Sequence, residues 1–534
     1  MKQAGKYTSY LINLIFPALV FGSVAGALTA VVVVLYKVCA HHAIAFAETG
    51  YHYLSGHAYL LPVVAVGLFG VAWVLDWLYT AVPNLRGGGI PTSIAVLRGL
   101  LPFRWLRNLV GIFGLSLATF AMGVPLGNEG PAVQMGTAIG RSVVAPFAKK
   151  HGAWGRYSMT GGACAGFSVA TGAPISGILF GIEEAHQRIS PMIIIVSATA
   201  VLFSHLTTQL LAPLFGVSTT LFPAMELPAL GVGEVWIPLV VGVAMGLFAV
   251  AFLQYYRLIS GFFSRTLRRM HSRYKLFLVL VAVLVLGTLS FSFVSTGHEL
   301  ILTLFEGNTA VWLLLLILVL RSTGTLCANT NGITGGIFLP MLALGAVLAS
   351  LLGKGLDSLF GLSPAQYTLV LVLGITACIS GMMKMPLTAI IFAVEALSCH
   401  ENVIYVVLVA TVSFAITELF DVKSINDSVL DSRLEKLNEG KTTRVIDTFV
   451  TVQKGAFAVG KQIRDIFWPA NLFVLSLKHS PDRSAEVNQH GEKAIAEGDV
   501  LHVRYLTYDE AQTKEELMAI VGAQDYAEQE DDVI

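Results

Sequence analysis

Residues 162–184 read GACAGFSVATGAPISGILFGIEE, and residues 374–396 read GITACISGMMKMPLTAIIFAVEA. Laid side by side, Pro174 meets Pro386, Ser176 meets Thr388, Phe180 meets Phe392 and Glu183 meets Glu395. A second pair lies upstream in each half. GNEGPAVQMG (127–136) aligns with GGIFLPMLALG (335–345), placing Pro131 on Pro340, Gly136 on Gly345 and Glu129 on Phe338. The offsets, 212 and 209 residues, nearly agree. Two ordered matches at nearly one offset indicate a duplicated unit. The matches alone do not say whether the copies run parallel or inverted.

The repeated unit belongs in a membrane. The 534-residue chain is 55% hydrophobic and 13% charged, with mean hydropathy +0.71. A soluble domain usually carries about 25% charge. Runs long enough to span, about 20 residues each, fall near 11–38, 58–80, 191–214, 235–256, 276–296 and 402–420. The first is expected to stay as a membrane helix rather than act as a cleaved signal. The stretches 85–125, 127–147, 160–184, 310–352 and 367–398 are broken by Gly and Pro. They predict discontinuous helices, which membranes tolerate where protein buries them or a polar cavity is lined. Paired broken segments in two halves point to a transporter's binding site. The net charge is zero, so no nucleic acid partner is implied. The five cysteines lack metal-ligand spacing and read as apolar filler.

Three motifs each precede a helical apolar stretch: Gly87-Gly88-Gly89-Ile90-Pro91, Gly127-Asn128-Glu129-Gly130-Pro131, and Gly335-Gly336-Ile337-Phe338-Leu339-Pro340. Pro just inside a helix start is favourable, since its missing N–H would have been unpaired. Glycines ahead of it let the backbone turn. Free N–H groups at the positive end of a helix dipole attract anions. Three such starts converging would hold a small anion without a full positive charge, weakly enough to release it. Glu129 among them could occupy the anion site as a carboxylate and leave it when protonated. Intramembrane acids are functional candidates by default.

In this order and spacing the motifs resemble the GSGIP, G(K/R)EGP and GxFxP signatures of the CLC family of chloride channels and transporters. The resemblance covers about residues 7–435. It implies an all-α polytopic membrane protein, an inverted repeat of about seventeen helices with re-entrant segments, and a homodimer with one pathway per subunit. It implies halves at about 7–220 and 234–432. It implies that the amides of Ile337 and Phe338 bind the central anion and that Glu129 gates it and carries protons. Glu184, at the end of the helix carrying TGAPISGILFGIEE, matches the family's inner proton relay, found in its antiporters and usually missing from its channels. Proton-coupled exchange of chloride-like anions is therefore expected, with a passive channel as the alternative. Two departures stand out. The serine usual in the first motif is Gly88. The tyrosine usual near the last membrane helix falls on Asn426, by alignment of KSINDSVL (423–430). Losing both hydroxyls leaves a site built mainly of backbone amides. The fluoride-exporting branch carries methionine at the first of these positions, so Gly88 does not place the chain there.

After a linker at 436–449, residues 450–522 predict strands at 472–479 and 499–506 and a helix at 509–522. This order resembles the small TrkA-C (RCK-C) regulatory domain, implying a nucleotide-type small-molecule ligand. Residues 523–534 read as an acidic disordered tail. The basic loop 257–275 places itself and the C-terminal domain in the cytoplasm of a cell with the chain in its inner membrane. Enzymatic readings are weak. Ser168 has no histidine placed by motif to activate it, and GHEL (297–300) does not continue to a second metal-binding histidine. No cofactor is implied. A potassium transporter would need carbonyl oxygens rather than amides at its filter.

Overall fold

The computed structural model describes residues 15–147, 152–438, 440–479, 485–487 and 491–523. The first half contains α1 (Phe16–Gly56), α2 (Leu61–Ala81), α3 (Ile90–Leu97), α4 (Trp105–Ala121), α5 (Glu129–Val144), α6 (Trp154–Thr171), α7 (Pro174–Phe180) and α8 (Pro191–Phe215). The second contains α9 (Trp236–Gly261), α10 (Ser272–Leu289), α11 (His298–Phe305), α12 (Val311–Thr330), α13 (Phe338–Phe360), α14 (Pro364–Met383), α15 (Pro386–Ala396) and α16 (Val403–Leu419). Among the described residues each half thus sets out eight helices in matching order, down to the eight-residue α3 and α11. A further helix, α17 (Ile425–Asn438), leads out of the bundle.

Hydrogen bonds between repeat-matched residues fix the relation of the halves. The Glu183 carboxylate, just past α7, accepts from the N–H groups of Leu387 (2.9 Å) and Thr388 (2.8 Å) and from the Thr388 hydroxyl (2.7 Å). The Glu395 carboxylate, at the end of α15, accepts from Ile175 N–H (2.8 Å), Ser176 N–H (2.9 Å) and the Ser176 hydroxyl (2.9 Å). Each short helix satisfies the orphan amides of the other's first turn. Only helices running in opposite directions can do this reciprocally, so the repeat is inverted. The upstream pair repeats the logic: Gly127 and Gly336 exchange two backbone hydrogen bonds, 2.6 and 2.8 Å long.

Three stretches differ from the sequence reading, among them 367–398, whose first part belongs to the full span Pro364–Met383. Among the described residues eight helices are long and apolar enough to cross a membrane. They include Val311–Thr330 and Phe338–Phe360, so 310–352 is not one interrupted stretch but most of two full spans. The Gly-rich residues 332–336 fall between those spans, not inside one. Conversely, Val403–Leu419 is a shorter apolar helix.

The C-terminal domain is an antiparallel sheet in the order β1-β4-β2-β3, formed by β1 (Arg444–Thr451), β2 (Leu472–Lys478), β3 (Ala485–Val487) and β4 (Val500–Thr507), with α18 (Glu510–Val521). Leu501, Val503 and Tyr505 alternate inward from β4 against Leu477, Leu517 and Val521. The expected linker at 436–449 is mostly occupied: α17 runs to Asn438 and β1 begins at Arg444. β1 is an edge strand in which Ile446, Thr448 and Val450 turn inward and alternate with exposed Val445, Asp447 and Phe449; because apolar residues stand on both faces, the sequence does not show this alternation. Of the expected acidic tail at 523–534, all but residue 523 lies outside the described residues.

The domain docks tightly on the membrane part. Phe467 stacks on Tyr157 (4.2 Å between centroids) and on His186 (4.3 Å), with the Arg188 guanidinium over its ring. Tyr157 donates to Asp465 O (2.7 Å), and Arg156 pairs with Glu516 (2.7 Å) and donates to Trp468 O (2.6 Å).

Candidate anion and proton site

Gly89, Gly130 and Gly336 bring the three motifs into backbone contact. A Cβ on Gly130 would lie 2.6 Å from Gly336 Cα and 3.2 Å from Gly89 Cα. Gly89 also holds φ of 99°, a backbone shape that favours glycine. The helix starts therefore converge because nothing larger than hydrogen separates them. Pro91, Pro131 and Pro340 sit in the first turns that follow.

The three motifs do not contribute equally. In the first, Gly87 N–H bonds Gly332 O (2.7 Å), Gly88 N–H points at Leu85 O (3.4 Å) and Gly89 N–H bonds Gln134 Oε1 (2.5 Å). The expectation that these glycines offer free amides is corrected: they serve packing, and Ile90 is left as the motif's donor. Gln134 was missed. It is buried, and its other end donates to Asn84 O (3.1 Å). A lone amide five residues beyond Glu129, inside an apolar helix, was the available signal. Gln134 also fills the space of a side chain at position 88, where a Cβ would meet Oε1 at 2.6 Å.

The third motif keeps its donors. Ile337 caps α13 and Phe338 opens it, and their N–H groups have no acceptor among the described residues. The Phe338 ring is held edge-on between Phe167 (5.1 Å) and Phe392 (5.6 Å), which fixes the helix start.

Glu129 opens α5 and is fully buried, and neither carboxylate oxygen has a hydrogen-bond partner. Its own N–H and that of Leu339 face the carboxylate. Its Oε2 lies against Gly127, within 2.6 Å of where a Cβ would stand. The carboxylate thus sits between the starts of α5 and α13, where the dipoles favour an anion. Asn128 beside it has a buried, unpartnered Oδ1. Asn128 and Leu339 also line a cavity of about 940 Å³ that reaches Lys37, His41 and His298.

Glu184 is buried in a π-helical turn, Gly181–Ala185. Its Oε1 accepts from Asn426 Nδ2 at 2.8 Å. Arg98 donates to Glu184 O (3.0 Å) and Ala185 O (3.1 Å) while pairing with Asp427 (3.3 Å). Asn426 spends one of its two Nδ2 donors on Glu184, which lies four residues beyond Phe180, whose ring stacks on Phe167 at 5.0 Å. Glu183, next along the chain, takes the inter-repeat role described above.

The cavity beside Asn128 and the docked domain lie at opposite ends of α1. Ala18 and Phe21 pack in a cluster with Trp154 and Phe467, whereas Lys37 to Glu48 line the cavity. At 1.5 Å per residue these stations are roughly 30 Å apart.

Among relatives, the H(+)/Cl(−) exchange transporter ClcA of Klebsiella pneumoniae subsp. pneumoniae is 28% identical over 389 residues, covering 72% of this chain and 82% of that protein. The protein of the same name from Salmonella typhimurium is 27% identical over 389 residues, covering 72% and 81%. A slow cyanobacterial Cl−/H+ antiporter superimposes with a TM-score of 0.71 at 22% identity, over 79% of this chain and 99% of that one. A CLC-type fluoride/proton antiporter gives a TM-score of 0.61 at 20% identity, over 77% and 98%. These two likenesses establish the fold. A family model described as voltage gated chloride channel matches residues 67–418, more than half of the chain, and with the inverted repeat and the converging glycine motifs it shows that this chain belongs to the CLC family.

Proposed function

We propose that the chain exchanges small monovalent anions, chloride foremost, for protons across a membrane. One observation carries the reading: Glu129 is buried and unpartnered among helix starts, while a second buried acid, Glu184, stands on a different segment with a single hydrogen bond. A passive pore needs one acid to gate it. A second buried acid costs stability and is explained by proton delivery. The relatives named as H(+)/Cl(−) exchange transporters support the same choice.

In this mechanism the Glu129 carboxylate occupies the anion position, takes up a proton, loses its attraction to the helix dipoles and swings toward the outer cavity. An anion then enters against the amides of Ile337 and Phe338. The proton passes inward to Glu184, whose Asn426 partner holds it in place. Gly127, Gly130 and Pro131 shape the start that releases Glu129, and Gly336 and Pro340 shape the start that receives the anion.

The assembly we propose is a homodimer in the inner membrane, with the basic loop 257–275 and the C-terminal domain in the cytoplasm. The domain is read as a TrkA-C-like regulator with a nucleotide-type ligand. Support comes from its docking: Phe467 stacks on His186, two residues after Glu184. A ligand that favours one domain position would therefore bias the inner proton relay. Liposome measurements of chloride-driven proton uptake, with and without added cyclic dinucleotide, test both parts. Anion flux without proton movement would leave the channel reading, and equal rates with and without the dinucleotide would remove that ligand.

A further inference from the structure

A second cavity, of about 400 Å³, opens at the tail side of the glycine cluster, lined by Gly87 and Gly332. Four cations from three segments surround it: Arg86, Lys275 on α10, and Arg433 and Lys436 on α17. Among the described residues no Asp or Glu lines it. Among the described residues none of the four is in an ion pair. Three of them are held by neutral groups instead. Arg86 donates to the Ser272 hydroxyl (2.5 Å), Arg433 to the Thr92 hydroxyl and Lys275 to Phe263 O (3.3 Å). Asn329 Oδ1 and Thr330 Oγ1, also at the cavity, are buried without a partner.

Cations gathered without counter-charges repel one another and destabilise the fold unless an anion joins them. The neighbouring cavity between the membrane part and the C-terminal domain makes the contrast. It sets Arg104, Arg107, Lys423 and Lys441 against Asp431, Glu435, Asp509 and Glu516, and so neutralises itself. A conducting path for a monovalent anion calls for weak sites, which four unpaired cations are not. Two guanidiniums and two ammoniums around a volume of small-ligand size suit phosphate oxygens, which take forked Arg bonds and Lys point charges.

We propose that this inner chamber binds a phosphate-bearing anion and that its occupation inhibits transport. Two routes lead to inhibition. The ligand stands at Gly87, at the foot of the first motif. It also ties α17 to the start of α10 through Arg433 and Lys275, and α17 begins at Ile425-Asn426, the partner of Glu184. The phosphate could belong to a cytoplasmic solute or to an anionic phospholipid headgroup.

The test uses the full chain and Lys275→Gln/Lys436→Gln, two positions outside the Glu129–Glu184 machinery. Pyrophosphate titrated calorimetrically into detergent-solubilised protein should bind the wild type, and the double variant should bind on the order of tenfold more weakly. In neutral phosphatidylcholine liposomes, pyrophosphate at the tail face should slow wild-type chloride flux and spare the variant. If flux instead falls only when anionic phospholipid is included, and again only in the wild type, the headgroup is the ligand. Absence of both pyrophosphate binding and lipid inhibition, or equal effects on both proteins, overturns the proposal. Because binding and chloride flux are read without proton coupling, failure of the antiport reading would show separately.

Discussion

The first half of the repeat carries every acid assigned to proton movement, and the second half carries none. Glu129 aligns with Phe338, and Glu184 aligns with Ala396. Elsewhere the halves remain symmetric. Glu183 and Glu395 cap each other's repeat partner, and Gly127 and Gly336 share a two-bond bridge. Symmetry is kept where residues hold the halves together and broken where charge must move. In the proposed mechanism Phe338, in place of an acid, leaves its helix start free to receive an anion, while Glu129 brings its own.

The largest effect should come from removing the titratable group from the first half. Glu129→Gln keeps the shape but stays neutral, so proton flux should fall by about 100-fold or more while anion flux persists. Proton electrode and chloride electrode traces from the same liposomes check this. The neighbouring glutamates sharpen the contrast. Glu184→Gln should also end proton flux. Glu183→Gln should keep proton coupling but lower stability by about 1–3 kcal/mol, since a carboxylate accepting two amides and a hydroxyl is weakened. Thermal unfolding of the two variants should therefore separate them in the opposite order to transport.

A smaller effect is expected at the first motif. Gly88→Ser puts its side chain where Gln134 Oε1 and Ile112 Cδ1 stand, both at 2.6 Å from the new Cβ. The flexible ends can move, releasing Gly89 N–H and adding a hydroxyl. The nitrate-to-chloride flux ratio should shift a few-fold, and Gln134→Ala alone should give part of that shift. Unchanged ratios in both would show that the first motif does not reach the anion.

The smallest effect concerns the C-terminal domain. Burial pushes the Lys461 ammonium, which bonds Phe457 O, down to about 8. The unfolded group titrates near about 10.4. Between those values the unfolded domain binds more protons than the folded one, so domain stability should rise with pH from about 8 to about 10. Below that window Lys461 is charged in both states and adds no slope. Trp468 fluorescence during thermal melting reads the rise, and Lys461→Met should flatten it.

Much of this was legible because periodicity and glycine placement are local. The duplicated stretches, Glu129 among helix starts and the distinct C-terminal domain all follow from sequence spacing. What escaped depends on three-dimensional pairing. Nothing in KSINDSVL says that Asn426 bonds Glu184, since 242 residues separate them. Gln134 reaches back to the first motif across a helix packing that spacing does not encode. β1 carries apolar residues on both faces, so only the fold shows that Ile446 and Val450 are the inward ones. The inversion of the repeat appears only when Glu183 and Glu395 are seen at each other's helix starts.

The central claim is that two acids in one half of a symmetric frame couple proton movement to anion movement. Purified protein in liposomes under an outward chloride gradient, with no imposed pH difference or membrane potential, tests it directly. Chloride leaving the vesicles should drive protons inward and build a pH difference where none was imposed, and Glu129→Gln should abolish that movement. Chloride efflux that proceeds at full rate with no proton uptake in the wild type would contradict the account.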